Sequence, residues 1–215
     1  YLYHLETSIQ GKTVGIPWGF LDELSDGARK VFERALDVLK GTGVKLVEIK
    51  LNKSAIVFRL IPAGKFTMES PKTEAGRLNN EAQKQAEVTK SFYMGKFEVT
   101  QEQWQKVMGS NPSHFKNTGK NAPAETVSWD DCQVFIKKLS ALEGLDNGLK
   151  ISLPSEIEWE YACRAGTQTA YYTGSTVADL ARAAWYGNNR ADSNGTTHEV
   201  GQKLCNAFGL YDMHG

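Results

Sequence analysis

The chain has 215 residues, 40% hydrophobic and 10% aromatic, which is enough apolar material for a real core and excludes wholesale disorder. Its 25 acidic residues balance 25 lysines and arginines. That removes the electrostatic footprint of a nucleic-acid binder, and no basic run restores it locally. No apolar stretch approaches the roughly 18–20 residues of a membrane span, and the first residues, Tyr1 to Glu6, have neither the basic nor the apolar region of a signal peptide. Cys132, Cys163 and Cys205 are too few and too scattered for a disulfide scaffold or a zinc site. A reducing cytoplasm is the expected location.

Residues 1–55 read as strand, helix, strand. Thr13 to Pro17 is a short β-rich run ended by proline. Ser25 and Asp26 are cap candidates for a helix with Ala28, Val31, Phe32, Ala35, Leu36 and Leu39 on one face. Gly41 and Gly43 supply the stop. Val47, Ile49 and Leu51 then alternate with Glu48 and Lys50, as in a half-buried strand. Such a unit most simply makes a right-handed parallel crossover. It is too small to bury both of its faces and needs a partner surface.

Residues 56–215 have another rhythm, with short elements and long connections rich in Gly, Asn, Thr and Ser. Thr100 with Gln103 is a capping box before Trp104, Val107 and Met108. Ser128 caps a helix expected to bury Cys132, Phe135, Ile136 and Leu139. Ser155 with Glu158 is a second capping box, leading to Trp159, Ala162 and Cys163 on one face. Strands are expected over residues 57–61, 64–68, 91–98 and 151–153. From Thr167 to Gly215 turn residues predict structured loops with short strands. The irregular order favours an α+β fold over a doubly wound sheet.

Several segments of this second piece occur in a recognisable order. They are Leu60-Ile61-Pro62-Ala63-Gly64-Lys65-Phe66-Thr67-Met68, Phe92 to Thr100, Met108 to Phe115, Thr126 to Cys132, Leu153-Pro154-Ser155-Glu156 on to Gly166, and Asn206-Ala207-Phe208-Gly209-Leu210-Tyr211-Asp212-Met213-His214-Gly215. In this order they resemble the formylglycine-generating, or sulfatase-modifying-factor, family. The resemblance implies a C-type-lectin-like fold of the elaborated kind, with little regular secondary structure. Members either oxidise a sulfatase cysteine to formylglycine with copper, or use the fold for other oxidations and for ligand binding. Residues 11–53 are similar to a stretch of the amidase-signature family, whose members include a component of the aspartyl/glutamyl-tRNA amidotransferase. Gly11-Lys12-Thr13-Val14-Gly15-Ile16-Pro17 and Val44-Lys45-Leu46-Val47-Glu48-Ile49 carry the likeness. The serine- and glycine-rich region that holds that family's Ser-Ser-Lys machinery has no counterpart here, so no amidase activity is expected.

The family's oxidase uses two nearby cysteines, because a soft cuprous ion prefers paired thiolates. In the family that pair follows the Gly-Leu-Tyr-Asp-Met-His-Gly motif, which is here residues 209–215. The domain is therefore expected to be truncated at its C-terminus and non-catalytic as it stands, with copper relevant only if a cysteine pair follows Gly215. Cys132 and Cys163 are expected in the core, and Cys205 as a loop thiol. His114 and the His198-Glu199 neighbours are expected to be structural. Glu156, Glu158 and Glu160 suit a helix start. Asn188, Asn189, Asp192 and Asn194 are candidate calcium ligands, since their loop resembles the region where family members hold calcium. Tyr171, Tyr172, Trp185, Tyr186 and Tyr211 are expected as anchors under long loops, with a ligand face as the alternative. Glu69 stands where the family has glycine, which removes conformational freedom from a tight turn. The leading expectation is a binding or scaffold module for an unknown protein or small ligand. The alternatives are a copper-dependent oxidase and a fusion remnant without function.

Overall fold

A computed structural model describes residues 13–14, 45–46, 48–74, 76–145, 150–187 and 195–215. The chain divides into two compact units, Tyr1–Lys50 and Leu51–Gly215. In the first, β1 (Thr13–Val14) pairs in parallel with β2 (Lys45–Leu46), Thr13 opposite Lys45 and Val14 opposite Leu46. Parallel strands require a crossover between them, as the strand–helix–strand reading expects. The helix expected over residues 28–39, its caps Ser25 and Asp26 and its stop at Gly41 and Gly43 lie outside the described residues. β3 (Glu48–Lys50) holds the last residues of this unit in chain order.

The first compact unit ends at Lys50, and the turn that follows is built into the second unit. The Leu51 amide donates to the Ile56 carbonyl at 2.8 Å, and the Leu51 carbonyl accepts from the Ala55 amide at 3.0 Å. The two carboxylate oxygens of Glu143 accept from the amides of Lys53 (3.1 Å) and Ser54 (2.6 Å). Ser54 and Ile56 are buried there.

In the second unit β4 (Val57–Ile61) runs antiparallel to β7 (Phe92–Gly95), and β5 (Gly64–Met68) antiparallel to β6 (Lys84–Val88). β7 is shorter than the expected 91–98 run, and residues 151–153 form no strand. Ile151 instead packs as a single side chain against the cluster of Ile56, Trp104, Phe135 and Leu139. β6 escapes a sequence reading because Ala86 and Val88 are its only apolar residues.

Four α-helices follow among the described residues: α1 (Gln101–Met108), α2 (Trp129–Glu143), α3 (Glu156–Arg164) and α4 (Val177–Ala183). Each begins with a reciprocal capping box, made by Thr100 with Gln103, Ser128 with Asp131, Ser155 with Glu158 and Thr176 with Asp179. The box satisfies backbone donors that the first turn leaves orphaned. α4 corrects the expectation of loops and short strands after Thr167. Apart from an isolated bridge between Tyr171 and Gly174, the described residues there contain no strand. Thr176-Val177-Ala178-Asp179 is a capping box closed by aspartate rather than glutamate, and Leu180, Ala181 and Ala183 behind it favour a helix.

Two apolar clusters hold the unit together. Ile56, Trp104, Phe135 and Leu139 join α1 to α2, with Trp104 and Phe135 stacked at 4.8 Å and 10°. Ile61, Val88, Tyr161, Ala162 and Leu210 join the strands to α3 and to the last turn of the chain. Close approach at Gly64 is part of that packing, since a Cβ there would lie 2.4 Å from the Tyr161 hydroxyl. Cys163 is buried on α3 as expected, whereas Cys132 is only half-buried and Cys205 is exposed.

Asn206 ties the last turn to α3. Its buried amide Nδ2 donates to the carbonyls of Ala162 (2.7 Å) and Cys163 (3.1 Å), and its Oδ1 accepts from the amides of Phe208 (3.0 Å) and Leu210 (3.1 Å). Helix-end carbonyls and turn amides are thus satisfied by one side chain. Leaving a buried polar group unpaired costs about 1–3 kcal/mol. Asn206→Ala should therefore lower unfolding free energy by about 3 kcal/mol or more in urea titration; a loss below about 1 kcal/mol would refute this role.

Candidate functional site

The turn fixed by Asn206 delivers Tyr211, Asp212, Met213 and His214 beside α3. Two open cavities flank that helix, one of about 590 Å³ and one of about 380 Å³. Trp159 and His214 line both. Trp159 is 44% exposed, although the sequence puts it on the buried face with Ala162 and Cys163. Those two pack against the strands and the last turn, whereas the indole one turn earlier overlooks the cavities.

Glu98 and Asp212 stand in the wall of the larger cavity. Asp212 is 7% exposed, and its Oδ2 accepts from the Gly201 amide at 2.6 Å. Its Oδ1 is buried without a hydrogen-bond partner. Desolvation raises the Asp212 carboxyl above its ordinary range, and the Gly201 amide offsets part of that rise. Glu98 is exposed at the cavity mouth, where water screens it. Even so, the wall it leans on and then the charge of Asp212 push its carboxyl up to about 7.

His214 is packed rather than free. Its ring stacks on Tyr172 at 4.9 Å, and its Nε2 accepts from the Tyr172 amide at 3.3 Å. Burial, and then the nearby Arg164, lower its pKa, so the neutral imidazole is favoured. The Cys163 thiol lies 3.7 Å from the Met213 carbonyl oxygen and 3.9 Å from His214 Nε2. Burial pushes this thiol up to about 12, so the Cys163–His214 contact is no thiolate dyad.

The smaller cavity carries Glu69, Glu74, Glu81, Glu156 and Glu160. Much of that charge is already paired. Lys84 Nζ lies 2.6 Å from Glu69 and Arg164 Nε lies 2.7 Å from Glu160. Glu81 accepts from the Ser70 hydroxyl at 2.7 Å, and its backbone carbonyl accepts from Arg77. Glu69 adopts a left-handed φ of 69°, the conformation that glycine would take without strain. Its amide donates to Glu160 Oε1 at 2.7 Å, and its carbonyl accepts from Arg164 Nη2 at 2.9 Å. Glu158 caps α3, as its position at the helix start implies.

The other sequence candidates are distributed rather than gathered. Asn188, Asn189, Asp192 and Asn194 lie outside the described residues. His198 stacks on Trp185 at 3.7 Å, and Lys203 Nζ lies 3.7 Å from the centre of the same indole. A Cβ on Gly119 would meet the Glu199 carboxylate at 2.8 Å, so Glu199 packs against that turn. His114 is exposed, with its ring edge-on to Phe115. The Tyr172 hydroxyl donates to the carbonyls of Ala183 and Leu204, which makes it an anchor. Tyr211 alone of the expected aromatics lines the larger cavity. No group of three or more His, Cys, Asp or Glu among the described residues could hold a metal ion. The three thiols do not fit a copper site either, because one is buried and held protonated, one is half-buried on α2 and one is exposed in a loop. No described helix is long and apolar enough to cross a membrane.

Small antiparallel strand pairs, capped helices and long structured turns define a mixed α/β fold of the formylglycine-generating type. The chain belongs to the family of the sulfatase-modifying factor enzyme 1-like domain, which its residues 48–215 match. The structure of PvdO from Pseudomonas aeruginosa is similar with a TM-score of 0.65 at 27% identity, over 78% of this chain and 70% of PvdO. The chaperone protein LppX of Paenibacillus barcinonensis is 31% identical, over 58% of this chain and 59% of that protein. A glutamyl-tRNA(Gln) amidotransferase polypeptide of Protochlamydia amoebophila is 36% identical over 52 residues, 24% of this chain and 11% of that polypeptide. The chain thus spans less than two thirds of the length of either of these curated relatives.

The Glu98 shift has a defined consequence for stability. Its folded-state pKa is raised from the ordinary 4.5, so its contribution is fully present below pH about 4.5 and is lost as pH rises through about 7. Glu98→Gln removes that loss. The melting temperature of the variant relative to the parent should therefore rise between pH 5 and pH 8, while the opposing His214 contribution cancels in the difference. A difference that stays constant or shrinks in thermal melts would contradict the assignment.

Proposed function

We propose that this chain acts as a binding or scaffold module of its family, with the cleft beside Trp159 as the face that meets a small ligand or a protein. The observation that carries the reading is the exposed indole of Trp159 between two open cavities, while the thiols are dispersed. Such a surface offers stacking area and polar contacts, and the described residues supply no paired thiolates for oxidase chemistry. Three free cysteines, one of them exposed, support a reducing compartment such as the cytoplasm. The 36% identity over 52 residues supports an amidase-signature origin for residues 11–53, without amidase activity.

Membership of the family favours a second reading, a copper-dependent oxidase that converts a sulfatase cysteine to formylglycine. That reading needs a thiolate pair beyond the described residues. Competition with a fluorescent cuprous probe separates the two. The module should surrender Cu(I) to the probe, whereas a tight stoichiometric complex that resists competition would establish a dithiolate site and overturn the binding-module reading.

The proposal includes calcium bound by Asn188, Asn189, Asp192 and Asn194. Binding to the folded state alone stabilises it by mass action, about 2.7 kcal/mol at a hundredfold excess over Kd. Dialysis against EGTA should therefore lower the melting temperature by several degrees, with calcium restoring it. An unchanged melt removes calcium from the proposal.

A further inference from the structure

The two cavities beside α3 differ in how their acidic groups are satisfied. In the smaller one lysine, arginine and hydroxyl partners already engage Glu69, Glu81 and Glu160. In the larger one no lysine or arginine among the described residues lines the wall, and Asp212 is nine-tenths buried with Oδ1 unpartnered. Among the described residues, the Gly201 amide on Oδ2 is that carboxylate's one hydrogen-bond donor. A desolvated carboxylate oxygen is costly without a donor, and Asp212 lines the wall of this open cavity.

We propose that the larger cavity receives an organic cation, a primary ammonium on an apolar stem such as a lysine side chain, with Asp212 and Glu98 as the accepting carboxylates. This deepens the binding-module reading and rests on it. The rest of the wall suits such a guest. Phe97, Trp159 and Tyr211 offer aromatic faces to a cation, and Met94 and Met213 offer adaptable apolar surface to its stem. Lys96 shows the same preference within the chain, its ammonium lying 5.4 Å from the centre of the Phe97 ring. A hard metal ion fits less well, since calcium takes about six to eight oxygen ligands and no three-residue ligand group is present among the described residues. The raised pKa of Glu98, from desolvation first and then from the charge of Asp212, agrees with two carboxylates sharing this wall.

The test uses the full chain and two matched probes, Nα-acetyl-lysine N-methylamide and its neutral counterpart Nα-acetyl-norleucine N-methylamide, followed by tryptophan fluorescence and calorimetry. The lysine probe should bind saturably and the norleucine probe at least about tenfold more weakly, as expected for charge-assisted hydrogen bonds. Glu98→Gln, at the exposed mouth, should weaken the lysine probe about tenfold without unfolding the chain. Asp212→Asn should weaken it further, with circular dichroism verifying the fold. Equal binding of the two probes, abolished by Trp159→Ala, would leave the binding-module reading standing and overturn the inference. Absence of binding by either probe overturns it as well, and the cuprous competition judges the underlying reading separately.

Discussion

Everything around the candidate site depends on Asn206. One amide side chain accepts two turn amides and donates to two carbonyls near the end of α3, so the last turn of the chain and the helix share one set of hydrogen bonds. Apolar packing by itself would leave the turn free to slide, because hydrophobic contact is non-directional. The asparagine gives the contact a register. Leu210 is then driven fully into the core, and the next residues emerge at fixed places around Trp159. Arg59 strengthens the same joint by donating to the Phe208 carbonyl at 3.1 Å. Gly209 belongs there because its φ of 74° and the adjacent guanidinium, 2.9 Å from any added Cβ, both exclude a side chain.

The electrostatic character of the site follows from unequal pairing of like groups. Carboxylates close to strong partners are committed to structure, as Glu160 is with Arg164 and the Glu69 amide. Asp212 is carried into the interior by its backbone with a single amide for company. Its left-handed φ of 55° is a second unfavourable feature at the same residue. Strained backbone and incomplete polar satisfaction recur at positions shaped for a ligand rather than for stability. Around Cys163 the balance runs the other way, since burial removes the thiol from ionisation and leaves it a packing group.

Local signals are the legible ones in this sequence. Capping boxes at Thr100, Ser128 and Ser155 mark three helix starts, because the cap hydrogen bonds span only three residues. β4 and β5 are legible from their β-rich runs, and Cys163 from the apolar face of α3. The fourth helix is harder to see because its seven residues make barely two turns inside a turn-rich stretch, and β6 because only Ala86 and Val88 give it an apolar pattern. Most of the site is hidden from sequence. Glu98 and Asp212 are distant in the chain and carry no shared motif, so their meeting is a tertiary fact. Trp159 falls on a core-like face because helical spacing reports a face but cannot report whether neighbours cover it. His214 sits inside a recognisable segment, yet its stacking on Tyr172 depends on how the turn folds back.

The corner at Glu69 carries a consequence for how this chain can vary. A glycine there would hold the left-handed conformation by itself. Here the amide and carbonyl of residue 69 are instead gripped by Glu160 and Arg164, whose side chains are 17% and 16% exposed. Lys84 adds a third hold through the Glu69 carboxylate. Residues 69, 160 and 164 are therefore mutually dependent, and a substitution at either helix position withdraws a hold on the left-handed backbone of residue 69. Two positions on α3 that look like ordinary surface charges have become hostages to a turn some ninety residues earlier.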